Sequence, residues 1–268
     1  MSSISPESFW SSPFTRSGRS VLVPRGPWIY ALSGVAAHYR ADPKALEGVV
    51  PKPLRVVDGD VFTYIVEVIA ISPNAQHLID EAPDQLYYNE GAFFVEVEYQ
   101  GKVYSYCPFM WVDTDISLLR GLLAGWPKKL ASIAVTRLHP MLPGLDKPRR
   151  GLRLGGYVAR SGSTLYRVKI LIEGDEHIKS LPLLSEHSIL LPRYFAGIAP
   201  GMTTVNELVE FVADLVVEAW QGAAEVTITG SAIDEVDAFK PITSPKGYYF
   251  NALLKPRSIR VVGKLEGF

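Results

Sequence analysis

The residues best suited to chemistry are two adjacent lysines, Lys128 and Lys129, set between Trp126-Pro127 and the apolar run Leu130 to Val135. In an extended segment successive side chains point to opposite sides, so one ammonium stays in water while the other is driven inward. A lysine pair just past a helix end is ordinarily solvated, because lysine is almost never fully buried. An inward lysine loses hydration, which disfavours its charged form, and buried lysines reach pKa values of about 5 to 6. The neutral amine then condenses with a ketone. The iminium so formed withdraws electrons from the adjacent carbon and stabilises the enamine left by C–C cleavage or proton loss. That sequence needs a proton carrier, and two carboxylates qualify: Glu67, alone inside the apolar run Val61 to Ile71, and Glu90 in Tyr87-Tyr88-Asn89-Glu90-Gly91. A partly desolvated glutamate has a raised pKa and exchanges protons within hydrogen-bonding reach of a substrate.

Other chemistries find less support. The five histidines are scattered and Cys107 is the single cysteine, so no zinc ligand set and no disulfide within the chain are expected. Gly151 to Gly156 lacks the Gly-Lys-Ser/Thr of a phosphate loop, and Glu186-His187-Ser188 has no nucleophile-elbow pattern. Twenty-seven Lys+Arg against 28 Asp+Glu give a net charge of -1, too even a balance to hold a nucleic acid or an anionic membrane. Met1 to Trp10 lacks the basic start and apolar run of a secretory signal, and no stretch approaches the roughly 20 apolar residues of a membrane helix. Together with the lone cysteine this predicts a cytoplasmic protein.

The 268 residues, 47% hydrophobic and 21% charged, suffice for a sizeable core, and no repeat or composition break marks a linker. Twenty prolines and 22 glycines cut the chain into short segments filled by β-branched and aromatic residues, a pattern that favours strands. Strands are predicted at Ala31 to Arg40, Val61 to Ile71, Gly151 to Ala159 and Thr164 to Ile172, and late in the chain at Ala224 to Thr229 and Ser258 to Val262. Phe93 to Tyr99 and Val103 to Val112 flank Gln100-Gly101-Lys102 as a hairpin. Asp42-Pro43 starts a short helix through Val50, and Thr114 caps a helix over Asp115 to Ala124 whose stripe is Ile116, Leu119, Leu122 and Leu123, stopped by Gly125. Leu208, Phe211, Val212, Leu215 and Val216 fit helical spacing, while Val216-Val217 and Thr227-Ile228-Thr229 look like strand, and the period leaves that segment open. Pro140 to Arg150 reads as an exposed loop or the cover of a pocket mouth. The division expected is a frayed, extended segment over residues 1–20 and one mainly β domain over 21–268.

Gly125-Trp126-Pro127-Lys128-Lys129-Leu130 resembles the active-site segment of the acetoacetate decarboxylase family. Pro24-Arg25-Gly26-Pro27, Tyr39-Arg40-Ala41-Asp42, Val49-Val50-Pro51-Lys52-Pro53-Leu54, Glu67-Val68-Ile69-Ala70, Tyr88-Asn89-Glu90-Gly91 and Glu218-Ala219-Trp220-Gln221-Gly222 are similar to family elements in the same order. The resemblance implies a closed, mainly antiparallel β-barrel or cone with a few short helices, assembled into homo-oligomers and needing no cofactor. It makes residues 208–220 strand. It implies that Lys128 forms the Schiff base, that Glu67 and Glu90 are the active-site glutamates, and that Lys129, Trp126 and Tyr88 contact substrate. The activity implied is decarboxylation of a small β-keto acid. The alternatives are an aldolase-dehydratase that uses the same lysine to condense pyruvate with an aldehyde, and a non-catalytic small-ligand binder. Two departures bear on the substrate: Ala31-Leu32-Ser33-Gly34 offers no family arginine, and Gly121-Leu122 stands where the family has Arg-Glu. Arg120 and Arg193 are the candidates to replace them.

Overall fold

The computed structural model describes residues 10–267; residues 1–9, the first part of the expected extended segment, and Phe268 lie outside the described residues. Runs of Val, Ile, Tyr and Phe suit a pleated, half-buried surface, and they form eleven strands. These are β1 Ile29–Arg40, β2 Arg55–Ile71, β3 Tyr87–Tyr99, β4 Lys102–Val112, β5 Lys128–Leu130, β6 Ser132–Val135, β7 Arg153–Arg160, β8 Ser163–Ile178, β9 Ile189–Phe195, β10 Val205–Ile228 and β11 Lys246–Gly263. Among the described residues three α-helices accompany them: α1 Pro43–Leu46, α2 Leu78–Glu81 and α3 Asp115–Ala124.

Seven strands close into a ring in the order β11-β1-β2-β3-β4-β9-β10, with β10 returning to pair with β11; β8, β7 and β6 continue from β10 as a flap. Pairing is antiparallel apart from β4 with β5 and with β9. Because side chains alternate, the ring wall has two apolar faces. Val35, Ile65, Phe93 and Trp111 face a core shared with Val158, Tyr166 and Val168 of the flap. Ala36, Tyr64, Phe94 and Met110 face the lumen, against Phe211 and Phe250.

Several expectations need revision. The helix after Asp42 ends at Leu46, one turn earlier than Val50, although the Asp42 carboxylate does accept from the Lys44 N–H. The Thr114 hydroxyl makes no capping bond; the Asp115 carboxylate accepts from the Ile116 N–H instead. Gly125 ends α3 with φ 104°, a left-handed conformation glycine adopts without strain. The open segment 208–216 is strand. Its alternation is hidden because Leu208 packs on the flap core while Val209 and Phe211 pack in the lumen, and a register shift follows between Val212 and Ala213. The two late strands are the ends of the much longer β10 and β11. No helix among the described residues is long and apolar enough to cross a membrane.

Candidate active site

The segment β4-α3-β5 is a crossover that returns the chain parallel to β4, with Met110 opposite Lys128 and Trp111 opposite Lys129. Residues opposite one another share a face of the sheet. Met110 lies in the lumen and Trp111 in the flap core, so the pairing alone sends Lys128 into the ring and Lys129 out of it.

Lys128 is 6% exposed at its side chain. Its Nζ donates to Glu90 Oε2 at 2.8 Å and to Ser117 Oγ at 3.0 Å. Glu90 reaches the same face because it is paired with Val66 on one side and Val112 on the other, both lumen residues. Its second oxygen, Oε1, accepts from the Tyr64 hydroxyl at 2.7 Å. Burial first, and then the adjoining Glu90 charge, push the Tyr64 phenol well above its ordinary pKa, so it stays a proton donor. The Lys128 ammonium also lies 5.3 Å from the centre of the Tyr88 ring. Burial and Glu90 raise the Tyr88 phenol as well, against the opposing pull of Arg120.

Helix α3 contributes more than its apolar stripe suggests. The face it buries carries Ile116, Ser117, Arg120 and Gly121, whereas Leu123 of the expected stripe is exposed. Ser117, Arg120 and Gly121, at i, i+3 and i+4, lie together on that face. A Cβ at position 121 would overlap the Lys128 side chain, so the glycine here is what lets the lysine run beside the helix. Arg120 is 4% exposed, and its guanidinium lies 4.4, 5.0 and 5.6 Å from the ring centres of Trp28, Tyr30 and Tyr88. Neither of its terminal nitrogens has a hydrogen-bond partner. A buried cation normally has its donors satisfied, and this residue lines a cavity.

That cavity is about 180 Å³ and is lined by Lys128, Glu90, Arg120, Tyr88, Tyr64 and Trp126 among others. Trp10 and Trp28 of the amino-terminal segment close one side; Trp10 is tied down by its N–H donating to the Val23 carbonyl at 3.2 Å. Burial, then the Glu90 charge, raise the thiol of nearby Cys107, leaving it a buried, unreactive sulfur.

Of the residues expected at the site, Lys128, Glu90, Trp126 and Tyr88 meet in this cavity. Glu67 and Lys129 do not. Glu67 sits on the opposite face of β2 from Tyr64 and pairs with Arg137. Lys129 donates to Asp234 Oδ1 and to the Ile233 carbonyl, both at 2.8 Å, outside the lumen. Arg193 is bound to Glu207 and the Leu123 carbonyl, so of the two candidate replacements only Arg120 lines the cavity. The Pro140 to Arg150 loop is largely exposed and does not line it. Tyr64 and Ser117 went unrecognised in the sequence; the small and polar face of α3 was the available signal for Ser117, and Tyr64 left none.

The family model for acetoacetate decarboxylase matches residues 11–265. The chain is 28% identical to acetoacetate decarboxylase 1 of Bradyrhizobium diazoefficiens over 204 residues, 74% of this chain and 71% of that protein. It is 27% identical to the acetoacetate decarboxylase of Burkholderia vietnamiensis over 238 residues, 86% of each. An acetoacetate decarboxylase-like enzyme from Sphingomonas wittichii RW1 superposes with a TM-score of 0.83 at 25% identity, covering 96% of this chain and 100% of that one. The enduracididine biosynthesis enzyme MppR, described in complex with the condensation product of pyruvate and imidazole 4-carboxaldehyde, has the same fold, with a TM-score of 0.82 at 21% identity over 96% and 97% of the two chains. The ring, the flap and the lysine segment thus all lie within the matched region, and the chain belongs to the acetoacetate decarboxylase family.

Proposed function

We propose that this protein is a Schiff-base lyase acting on a short 2-keto acid, with Lys128 as the amine, Glu90 as the proton carrier and Arg120 as the partner of a carboxylate that stays on the substrate. The reaction is aldol condensation and dehydration with an aldehyde. Lys128 gives its proton to Glu90 and attacks C2; the carbinolamine loses its hydroxyl as water, forming the iminium. Glu90 removes a C3 proton, the enamine attacks the aldehyde carbon, and Glu90 returns the proton to the new alkoxide to give the hydroxyl. Loss of a second water gives the conjugated iminium, and hydrolysis, consuming one water, frees the lysine and an unsaturated keto acid. The net reaction is keto acid plus aldehyde to enone acid plus water. Tyr64 holds Glu90 in place throughout.

The observation that carries this reading is the aromatic-caged Arg120 guanidinium beside Lys128, whose two terminal nitrogens have no hydrogen-bond partner. A fixed cation stabilises a carboxylate in the ground state, and that charge disappears as CO₂ departs. The interaction is therefore lost on the way to a decarboxylation transition state. A charged hydrogen bond of about 1.5–3 kcal/mol would slow decarboxylation by roughly tenfold to a hundredfold. Chemistry that retains the carboxylate carries no such penalty. Decarboxylation of a β-keto acid is the second reading, favoured by the curated relatives, both acetoacetate decarboxylases.

Borohydride reduction in the presence of pyruvate, followed by peptide mapping, is expected to place an adduct on Lys128. Arg120→Met is expected to weaken trapping of pyruvate by about tenfold to a hundredfold while leaving trapping of acetone, which has no carboxylate, nearly unchanged. Rapid CO₂ release from acetoacetate with no pyruvate adduct would establish the second reading instead.

A further inference from the structure

Strand β10 is paired unevenly. One edge is held by β11 along most of its length. The other edge is held by β9 over residues 205–211 and by β8 from Ala219 onward. Among the described residues no strand pairs with that edge over 212–218. The chain connecting β8 to β9, residues 179–188, passes this gap as turns rather than as a strand. A window is left in the ring wall between this connection and β10.

Behind the window lies a second cavity of about 830 Å³, more than four times the volume of the one around Lys128. Its lining is two-sided: Ala213, Leu215 and Leu184 pack toward the lumen, and Lys179, Glu186, Asp214 and Lys255 supply a charged part. The two cavities share five lining residues, Leu32, Tyr64, Trp126, Phe211 and Leu254. Tyr64 is the hydroxyl that holds Glu90, and Trp126 stands edge-on to Phe94 and Phe211 with ring centres 6.4 and 5.2 Å away. The two cavities therefore adjoin at these side chains, which belong to the Lys128 site.

Resting on the Schiff-base reading above, we propose that this outer chamber holds the tail of the carbonyl electrophile. The aldehyde enters through the window, its carbonyl end passes the shared wall to the enamine, and its tail stays against Ala213, Leu215 and Leu184. The inner cavity has room for a short keto acid beside Arg120 and Lys128. The outer one suits a bulky apolar or aromatic group. The co-substrate is thereby assigned to aldehydes with a large apolar tail rather than to acetaldehyde-sized ones.

The test compares propanal with 3-phenylpropanal, each with pyruvate. Burying a phenyl ring corresponds to a preference of about tenfold to a hundredfold in kcat/KM for the larger aldehyde. Ala213→Trp, which fills the chamber, is expected to reduce that preference to near one, and Leu184→Trp on the opposite wall serves if the first variant does not fold. A second measurement needs no imine: calorimetric binding of 3-phenylpropan-1-ol is expected in the wild type and in Lys128→Arg, and is expected to weaken about tenfold or more in Ala213→Trp. No preference in the wild type, or a preference and alcohol binding that survive Ala213→Trp, would overturn the proposal. Alcohol binding at the chamber without any pyruvate adduct on Lys128 would uphold the chamber and remove the Schiff-base reading.

Discussion

Two lysine–carboxylate pairs, Lys128 with Glu90 and Lys129 with Asp234, are held at the same 2.8 Å by adjacent residues of one short strand. They differ in what surrounds them. Asp234 is fully buried and fully used: Lys129, Arg160 and the Trp111 indole N–H all donate to it. Nothing in that cluster is left over for a ligand. Glu90 and Lys128 face a cavity in which a third group, Arg120, has donors with no acceptor. An ion pair alone therefore says little about function, as expected where buried pairs serve structure as readily as chemistry. The distinguishing marks are the void and the unsatisfied cation beside it.

That contrast yields a graded set of expectations. Lys128→Arg keeps the positive charge but not the nucleophile, and should lower turnover by about 10⁴-fold or more with no borohydride adduct and a nearly unchanged melting temperature. Asp234→Ala should act oppositely. It removes the buried acceptor of the Trp111 indole and should cost about 1–3 kcal/mol of stability by denaturant titration, while folded protein still traps pyruvate on Lys128. The same cluster gives the acid response a direction. Burial pushes the Asp234 carboxyl up, but Lys129, Trp111 and Arg160 outweigh it, so its pKa is lowered on folding. Its stabilisation is thus present above the ordinary carboxylate pKa of about 3.9 and is lost as the pH falls below it; Asp234→Asn should flatten that part of the acid unfolding curve.

Gly121→Ala separates the two regions from the other side. Alanine suits a helix interior better than glycine by roughly 0.5–1 kcal/mol, and the group it meets is the flexible Lys128 side chain. Displacing the buried, ion-paired Lys128 offsets that gain, so stability should hold level or fall modestly while imine trapping falls by about a hundredfold; unchanged trapping would mean that the lysine has another route to the cavity. The smallest effect is expected for Lys129→Met. Its side chain is 37% exposed, and partly solvated pairs contribute about 0–1 kcal/mol, so stability should move within that range and trapping not at all.

Much of this site was legible in the sequence, and the unread part has one cause. The Lys-Lys pair, the opposite facing of its members and the glutamate in the Tyr88–Gly91 stretch were readable from local spacing. Glu67 was equally plausible locally: alternation sets it on the face away from Tyr64, but only the packing of β2 shows which of the two faces turns to the lumen. A shift of one residue inverts every side chain, and no local pattern encodes it. Helix α3 misled differently: its apolar residues suggested one buried face, but the helix packs against a polar site and buries Ser117 and Arg120. The mainly β fold was legible from composition; the two long strands were not, because apolar residues on both faces of β10 erased its alternation.

Trp10, near the start of the chain, lines one side of the chamber around Lys128. An enamine is quenched whenever solvent delivers a proton to its carbon, and a closed site suppresses such leakage. On the mechanism proposed above, Trp10 would therefore act as a stopper on a reactive carbanion equivalent. Replacing Trp10 by alanine should convert productive turnover into futile incorporation of deuterium from heavy water into the methyl group of pyruvate.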